Sequence, residues 1–227
     1  MYENRYETLQ FETLKYLITY PNGYEKGKKY PVILQLHGAG GRGMPVLDML
    51  GHPYFTLTGE MEGFPFVTVA PVCHENTWFD LFETLKRFAQ WISASEYCDP
   101  ERFYVMGGSL GGYTTWQLAM SLPDLFAAIV PICGGGMYWN AARLVNVPVW
   151  AFHGAKDTTV FPEESEKMVN AVNKRGGNAR LTIYPENGHD AWSDTFRNPE
   201  VYGWMLSHKK QNGKAIIDEF VDLRKFG

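Results

Sequence analysis

The stretch RFYVMGGSLGGYTTWQLAM, residues 102–120, sets four glycines around one serine, between an apolar run and a helical pattern. Within it, Gly107-Gly108-Ser109-Leu110-Gly111 fits G-x-S-x-G, a pattern that makes a nucleophile elbow when it joins a strand to a helix. In such a turn the serine takes a strained backbone conformation. The residues two before and two after it lack side chains so that helix and strand can pass closely. The following helix brings the positive end of its dipole, and the free N–H of Leu110, to the place where an acyl oxyanion forms. Read without chemistry, the same segment is a glycine-rich turn, and the rest of the chain has to decide between the two.

Working outward, apolar and β-branched runs recur with helical stretches between them. Residues 11–20 read as an edge strand or hairpin arm, and strands are expected at 30–38, 64–72, 102–109, 126–134, 147–154 and 179–189. Their nearly continuous apolar character suits parallel strands covered on both faces. Helices are expected at 78–95, 110–121, 162–175 and 199–209. Strand then helix, repeated, implies right-handed crossovers and an α/β architecture, a mostly parallel, doubly wound sheet flanked by helices. The 227 residues carry no linker-like composition, internal repeat or low-complexity tract, so a single domain over 1–227 is expected.

In such a sheet, chemistry collects at the loops leaving the carboxyl ends of the strands. A serine needs a base oriented by a third group. FHGAKDTTVFPEES places Asp157 beyond one strand and IYPENGHDAW places His189 beyond the last. The order Ser109, Asp157, His189 is that of the α/β-hydrolases, with His189 taking the serine proton and Asp157 holding the imidazole tautomer. Each partner also has a plainer reading: Asp157 as a turn residue, His189 as a surface loop histidine. Glu186 and Asp190 are rival acids on the loop of His189 itself. His153, a rival base, ends a strand and is expected to pack structurally.

A second oxyanion donor is expected from LQLHGAGGRG: the N–H of Ala39, with Gly40 as second choice. Residues 38–43 also spell G-x-G-x-x-G, the dinucleotide fingerprint, with Glu60 or Glu62 as a ribose ligand. That reading needs a helix opening inside the glycines, and Pro45 and Pro53 argue against one. The six histidines lack H-x-x-x-H spacing and the cysteines lack a C-x-x-C pair, so neither cofactor nor metal is expected.

At these residues the chain resembles α/β-hydrolase esterases of the phospholipase/carboxylesterase and feruloyl or acetyl-xylan esterase type, which border on prolyl oligopeptidase-like peptidases. LHGAGGRG, VMGGSLGGYTTWQLAMSLPDLFAAIVPICGG, VPVWAFHGAKDTTVFPEES and YPENGHDAW carry the resemblance, from about residue 31 to 192. It implies Ser109 as nucleophile, Asp157 as acid, His189 as base, and Ala39 and Leu110 as the oxyanion pair. Dienelactone hydrolases are similar in fold but use a cysteine nucleophile, whereas this chain has Ser109.

Only 13 residues separate Cys133 from Val147, too few for a large helical cap domain, so an open site is expected. The loop 39–63, together with 74–78, is expected to border the cleft. Gly40, Trp78, Tyr138, Trp139 and Trp192 are candidate substrate contacts; core or rim packing is the plainer reading of the aromatic ones. A net charge of -4 with scattered Lys and Arg argues against nucleic acid. No run reaches the length of a membrane span, and three scattered cysteines without a visible signal peptide suit a reducing, cytoplasmic compartment; a trimmed secreted protein reads the same way. The expected partner is a small-molecule ester. A peptidase with the same machinery and a non-catalytic binding protein on this fold are the alternatives. Neither the oligomeric state nor the role of the tail 211–227, a last helix or an interface element, is legible.

Overall fold

The computed structural model describes residue 2, residues 5–211 and residues 214–217, the last four as backbone only. The chain opens with a hairpin, β1 (Tyr6–Phe11) and β2 (Leu14–Thr19), and continues through β3 (Tyr30–Leu36), α1 (Pro53–Thr58), β4 (Val67–Pro71) and α2 (Phe82–Ser93). Next come β5 (Cys98–Gly108), α3 (Leu110–Ser121), β6 (Ala128–Ile132), β7 (Val149–Gly154), α4 (Glu163–Asn173) and β8 (Ala179–Tyr184). Two short helices, α5 (Trp192–Arg197) and α6 (Pro199–Leu206), lead into a hairpin of β9 (His208–Gln211) and β10 (Lys214–Ile217).

Strands β1 to β8 form one sheet in the order β1-β2-β4-β3-β5-β6-β7-β8. The β1/β2 and β2/β4 pairs are antiparallel and every later pair is parallel. The central strands read as unbroken apolar runs because helices cover both faces, and β4, β6 and β7 are buried at every residue. On one face Leu85 and Phe88 of α2, Trp116 of α3 and Met168 of α4 pack with Val32, Leu34, Leu36 and Val105. On the other, Tyr54 of α1, Phe196 of α5 and Tyr202 of α6 pack with Ile33, Tyr104, Met106 and Phe152.

Differences from the sequence expectation are local. Strand β5 starts four residues before the expected 102, at Cys98. The helix expected from 78 begins at Phe82, because Thr77 N–H and Oγ1 donate to Asp80 Oδ2 and close a turn that sends Trp78 inward. The helix expected to reach 209 ends at Leu206, since β9 follows, held to the sheet where Tyr104 Oη donates to the His208 carbonyl at 2.8 Å. Of the tail, 214–217 are the backbone of β10, and residues 212–213 and 218–227 lie outside the described residues. Between β6 and β7 stands a 3-10 helix, Tyr138–Leu144, where a cap would be inserted. Cys73, Cys98 and Cys133 are buried free thiols. Among the described residues no helix is long and apolar enough to cross a membrane.

Candidate active site

Ser109 sits between β5 and α3 with φ 56° and ψ -120°, a conformation that costs a non-glycine residue energy and aims its side chain off the sheet end. The glycines around it are required by close approach: a Cβ on Gly111 would lie 2.0 Å from the Leu36 carbonyl oxygen, and one on Gly107 would lie 2.6 Å from the same oxygen. Ser109 N–H donates to the Ile132 carbonyl at 2.9 Å, tying the turn to β6.

The three candidates meet. Ser109 Oγ lies 2.8 Å from His189 Nε2, and His189 Nδ1 lies 2.7 Å from Asp157 Oδ2. Since a carboxylate only accepts, Nδ1 carries the imidazole proton and Nε2 is left to accept from the serine hydroxyl. The other carboxylate oxygen, Oδ1, accepts from the N–H groups of Thr159 and Val160 at 2.9 and 3.0 Å. Burial pushes the Asp157 carboxyl up, but the bonds from His189, Val160 and Thr159 outweigh it and hold the group below the usual carboxylate range.

Ser109 and His189 leave strands β5 and β8, which stand three strand spacings apart, roughly 14 Å. The loop 185–191 closes that gap by running back over the end of β7. It crosses at Gly154, where a Cβ would be 2.1 Å from the Gly188 carbonyl oxygen and 2.4 Å from that of Asn187. Lys156 N–H donates to the Asn187 carbonyl at 2.9 Å, so the loops of Asp157 and His189 are bonded to each other. The rival acids are elsewhere: Glu186 is exposed and pairs with Lys156, and Asp190 is exposed. His153 is fully buried behind Asp157, with Nδ1 2.7 Å from Ser165 Oγ and Nε2 facing the Val160 carbonyl at 2.9 Å and Asp157 Oδ2 at 3.2 Å. It braces Asp157, and its bonds go to Ser165, Val160 and Asp157 rather than to Ser109.

The expected oxyanion loop lies against the serine. A Cβ on Gly38 would stand 3.4 Å from Ser109 Cβ, and Ala39–Gly41 form one 3-10 turn where the dinucleotide reading required a long helix. Leu110 is the first residue of α3, a position whose N–H has no partner within the helix. Two buried side chains hold this loop. His37 Nε2 accepts from Cys73 N–H at 3.0 Å and its Nδ1 donates to the Gly38 carbonyl at 2.7 Å, while Trp78 Nε1 donates to the His37 carbonyl at 3.0 Å. Burial pushes the His37 imidazole down, which favours the neutral form this pairing requires. Arg42 Nε donates to the Ala39 carbonyl and its Nη1 to that of Asn76, at 2.9 and 2.8 Å.

A cavity of about 440 Å³ opens at Ser109 and His189. Gly40 and Trp192 line it as expected, with the Trp192 ring edge-on to His189 at 5.2 Å between centroids. Trp78 and Trp139 do not: Trp78 is fully buried beneath the oxyanion loop, and Trp139 is 64% exposed outside the cavity, beside Tyr138. The sequence reading missed Gln35, Thr159 and Phe196, which also line the cavity, and did not single out His52 and Pro53 within the loop it expected there. Of the 39–63 loop only Ala39–Gly41, His52 and Pro53 reach it. A larger groove of about 870 Å³, between the β1/β2 hairpin and residues 43–47, holds none of the three hydrogen-bonded groups.

Cys133, His153 and Asp157 bring one ligand-type atom each within 4.8 Å, a grouping that sequence spacing did not reveal. Two of the three are already committed, Asp157 to His189 and His153 to Ser165 and the Val160 carbonyl, and burial pushes the Cys133 thiol up to about 12.

The sequence profile of the dienelactone hydrolase family matches residues 73–213. A Yersinia pestis protein named "Putative carboxymethylenebutenolidase" is 29% identical over 150 residues, 59% of this chain and 55% of that protein. The chain spans about half the length of the curated relatives it matches. Among solved structures, a thermostable esterase superposes with TM-score 0.76 at 27% identity, over 91% of this chain and 64% of that one. A structure titled "Putative Dienelactone Hydrolase", from Klebsiella pneumoniae, superposes with TM-score 0.64 at 18% identity, over 88% of this chain and 94% of that one. The fold is therefore that of the α/β-hydrolases. The sequence expectation set Ser109 against the cysteine of dienelactone hydrolases; Ser109 lies inside the matched span, so the family includes this chain with its serine.

Proposed function

The chain belongs to the dienelactone hydrolase family, and from that premise we propose that it is a serine hydrolase cleaving carboxylic esters through an acyl-enzyme on Ser109. One observation carries the reading: the unbroken chain of hydrogen bonds from Ser109 Oγ through His189 to Asp157, at 2.8 and 2.7 Å. His189 Nε2 accepts the Ser109 proton as Oγ attacks the ester carbonyl, and the carbonyl oxygen becomes an oxyanion facing the N–H groups of Ala39 and Leu110. His189 then gives the proton to the departing alcohol. Water enters, loses a proton to the same nitrogen and releases the acid. Asp157 fixes the tautomer throughout and offsets the charge of the imidazolium.

The apolar walls formed by Pro53, Trp192 and Phe196 support short-chain or aromatic acyl groups, such as acetyl or feruloyl esters of carbohydrates. The test is covalent labelling by a fluorophosphonate probe, expected in the wild type and abolished in Ser109→Ala. It is followed by comparison of p-nitrophenyl acetate, methyl ferulate and peptide anilides. Rapid turnover of anilides with inert esters reverses the ranking in favour of a peptidase, and an unlabelled wild type favours a non-catalytic binding protein.

A further inference from the structure

One side chain of the cavity is unexplained by the chemistry above. Gln35, near the carboxyl end of β3, is fully buried, and among the described residues neither its Oε1 nor its Nε2 has a hydrogen-bond partner. Burying an amide with both groups unpaired is unfavourable, and a residue serving only to fill space here would be apolar, like Ile33 on the same face of the strand. Yet Gln35 lines the cavity of Ser109. None of the residues that line the cavity with it, Pro53, Trp192 and Phe196 among them, is hydrogen-bonded to it, and the N-cap bond of His52, whose Nδ1 accepts from Tyr54 N–H at 3.2 Å, commits that nitrogen to α1.

The geometry points to Gln35 as a specificity-determining residue that selects esters whose acyl group carries a neutral hydroxyl. The inference rests on Ser109 being the nucleophile. The acyl side is assigned by access: the alcohol must leave and water must enter between the two half-reactions, so the part of the ester held against the buried Gln35 is taken as the part that stays bound to Ser109. A hydroxyl fits because it accepts from the Gln35 amide N–H or donates to its carbonyl. A carboxylate does not fit, because among the described residues no Lys or Arg lines the cavity to offset its desolvation. The hydroxyl is a spectator to the reaction: the ester C–O bond breaks, the Oγ–acyl bond forms, and the serine proton leaves with the alcohol.

The experiment compares matched p-nitrophenyl esters in three pairs of increasing reach: butanoate with 3-hydroxybutanoate, hexanoate with 6-hydroxyhexanoate, and 3-phenylpropanoate with 3-(4-hydroxyphenyl)propanoate. In the wild type at least one hydroxylated ester is expected to exceed its plain partner in kcat/KM by about tenfold or more, because a site built to hydrogen-bond a hydroxyl discriminates against the analogue lacking it. In Gln35→Leu that ratio falls to about one and Tm rises, since an unpaired buried amide has been removed. Gln35→Met, unbranched and of similar volume, repeats the test if the leucine variant does not fold. Ratios at or below one in all three wild-type pairs overturn the proposal, as does a preference that survives in the variants. A Tm that falls while the ratios stay put identifies Gln35 as a structural residue. If the plain esters are inert and Ser109 takes no fluorophosphonate, it is the nucleophile that has failed, and the selectivity falls with it.

Discussion

Replacing Asp157 by Asn tests the proposed chemistry with the least change of shape, and the structure decides how the new amide orients. Thr159 and Val160 N–H groups point at Oδ1, so the amide oxygen takes that position and the NH2 group faces His189 Nδ1, 2.7 Å away. Two donors cannot share that contact. His189 relieves it by moving its proton to Nε2, the atom that must accept from Ser109. The imidazolium also loses its counter-charge. A triad with the wrong tautomer loses about 10⁴ in kcat, or about 5.5 kcal/mol of transition-state stabilisation. The assay is initial-rate hydrolysis of p-nitrophenyl acetate at pH 7.5, with the rate of fluorophosphonate labelling as a second measure of Ser109 nucleophilicity. The stability effect has a sign as well. Because the folded carboxyl is held below its ordinary value, its contribution is present above the usual carboxylate range and is lost as pH falls through the lower folded value. The gap in unfolding free energy between wild type and variant therefore narrows below about pH 4. A variant retaining more than a tenth of wild-type activity would refute the reasoning, because the tautomer would then not matter.

Three further outcomes are expected. Gly111→Ala places a methyl 2.0 Å from the Leu36 carbonyl oxygen, so α3 has to move off the sheet; urea unfolding is expected to show a loss of about 3 kcal/mol, with labelling of Ser109 lost as well. Trp78→Phe removes the bond to the His37 carbonyl and leaves a void beneath the oxyanion loop, lowering stability by about 1–3 kcal/mol and slowing all esters by a similar factor, whereas Trp192→Ala changes their relative KM values. Burial pushes His52 down to about 4, so from about pH 6.5 down to 4 the unfolded chain binds a proton that the folded chain refuses, and stability falls with pH. His52→Asn, which keeps an N-cap for α1, is expected to show a shallower fall in pH-dependent thermal unfolding, with His37 and His208, both pushed down by burial, contributing to the slope that remains.

The turn at Ser109 and the positions of Asp157 and His189 were legible because each is written locally: glycines at two fixed offsets from Ser109, and polar residues just past apolar runs. What joins them was not. The crossing of the His189 loop over Gly154 is a contact between segments 34 residues apart, and sequence shows only one glycine ending a strand. Trp78 was misjudged because an aromatic beside a cleft loop reads the same whether its ring faces the substrate or the core; the turn closed by Asp80 decides that. Gln35 was hidden in an apolar strand whose single polar residue looks incidental until both faces of the sheet are known. Helix ends failed where the chain changes state without a breaker: nothing in SHKKQ forbids another helical turn, and the tie from Tyr104 to His208 is made across 104 positions.

The long reach of the base loop has a thermal consequence. His189 hangs from β8, the outermost strand of the parallel side, which pairs on one side only and is half open to solvent. Ser109 hangs from the sheet interior. Warming loosens a margin before it loosens a centre, so the imidazole is expected to drift from the hydroxyl while the main body still holds together. Catalytic turnover would then stall, and recover on cooling, at a temperature several degrees short of calorimetric melting.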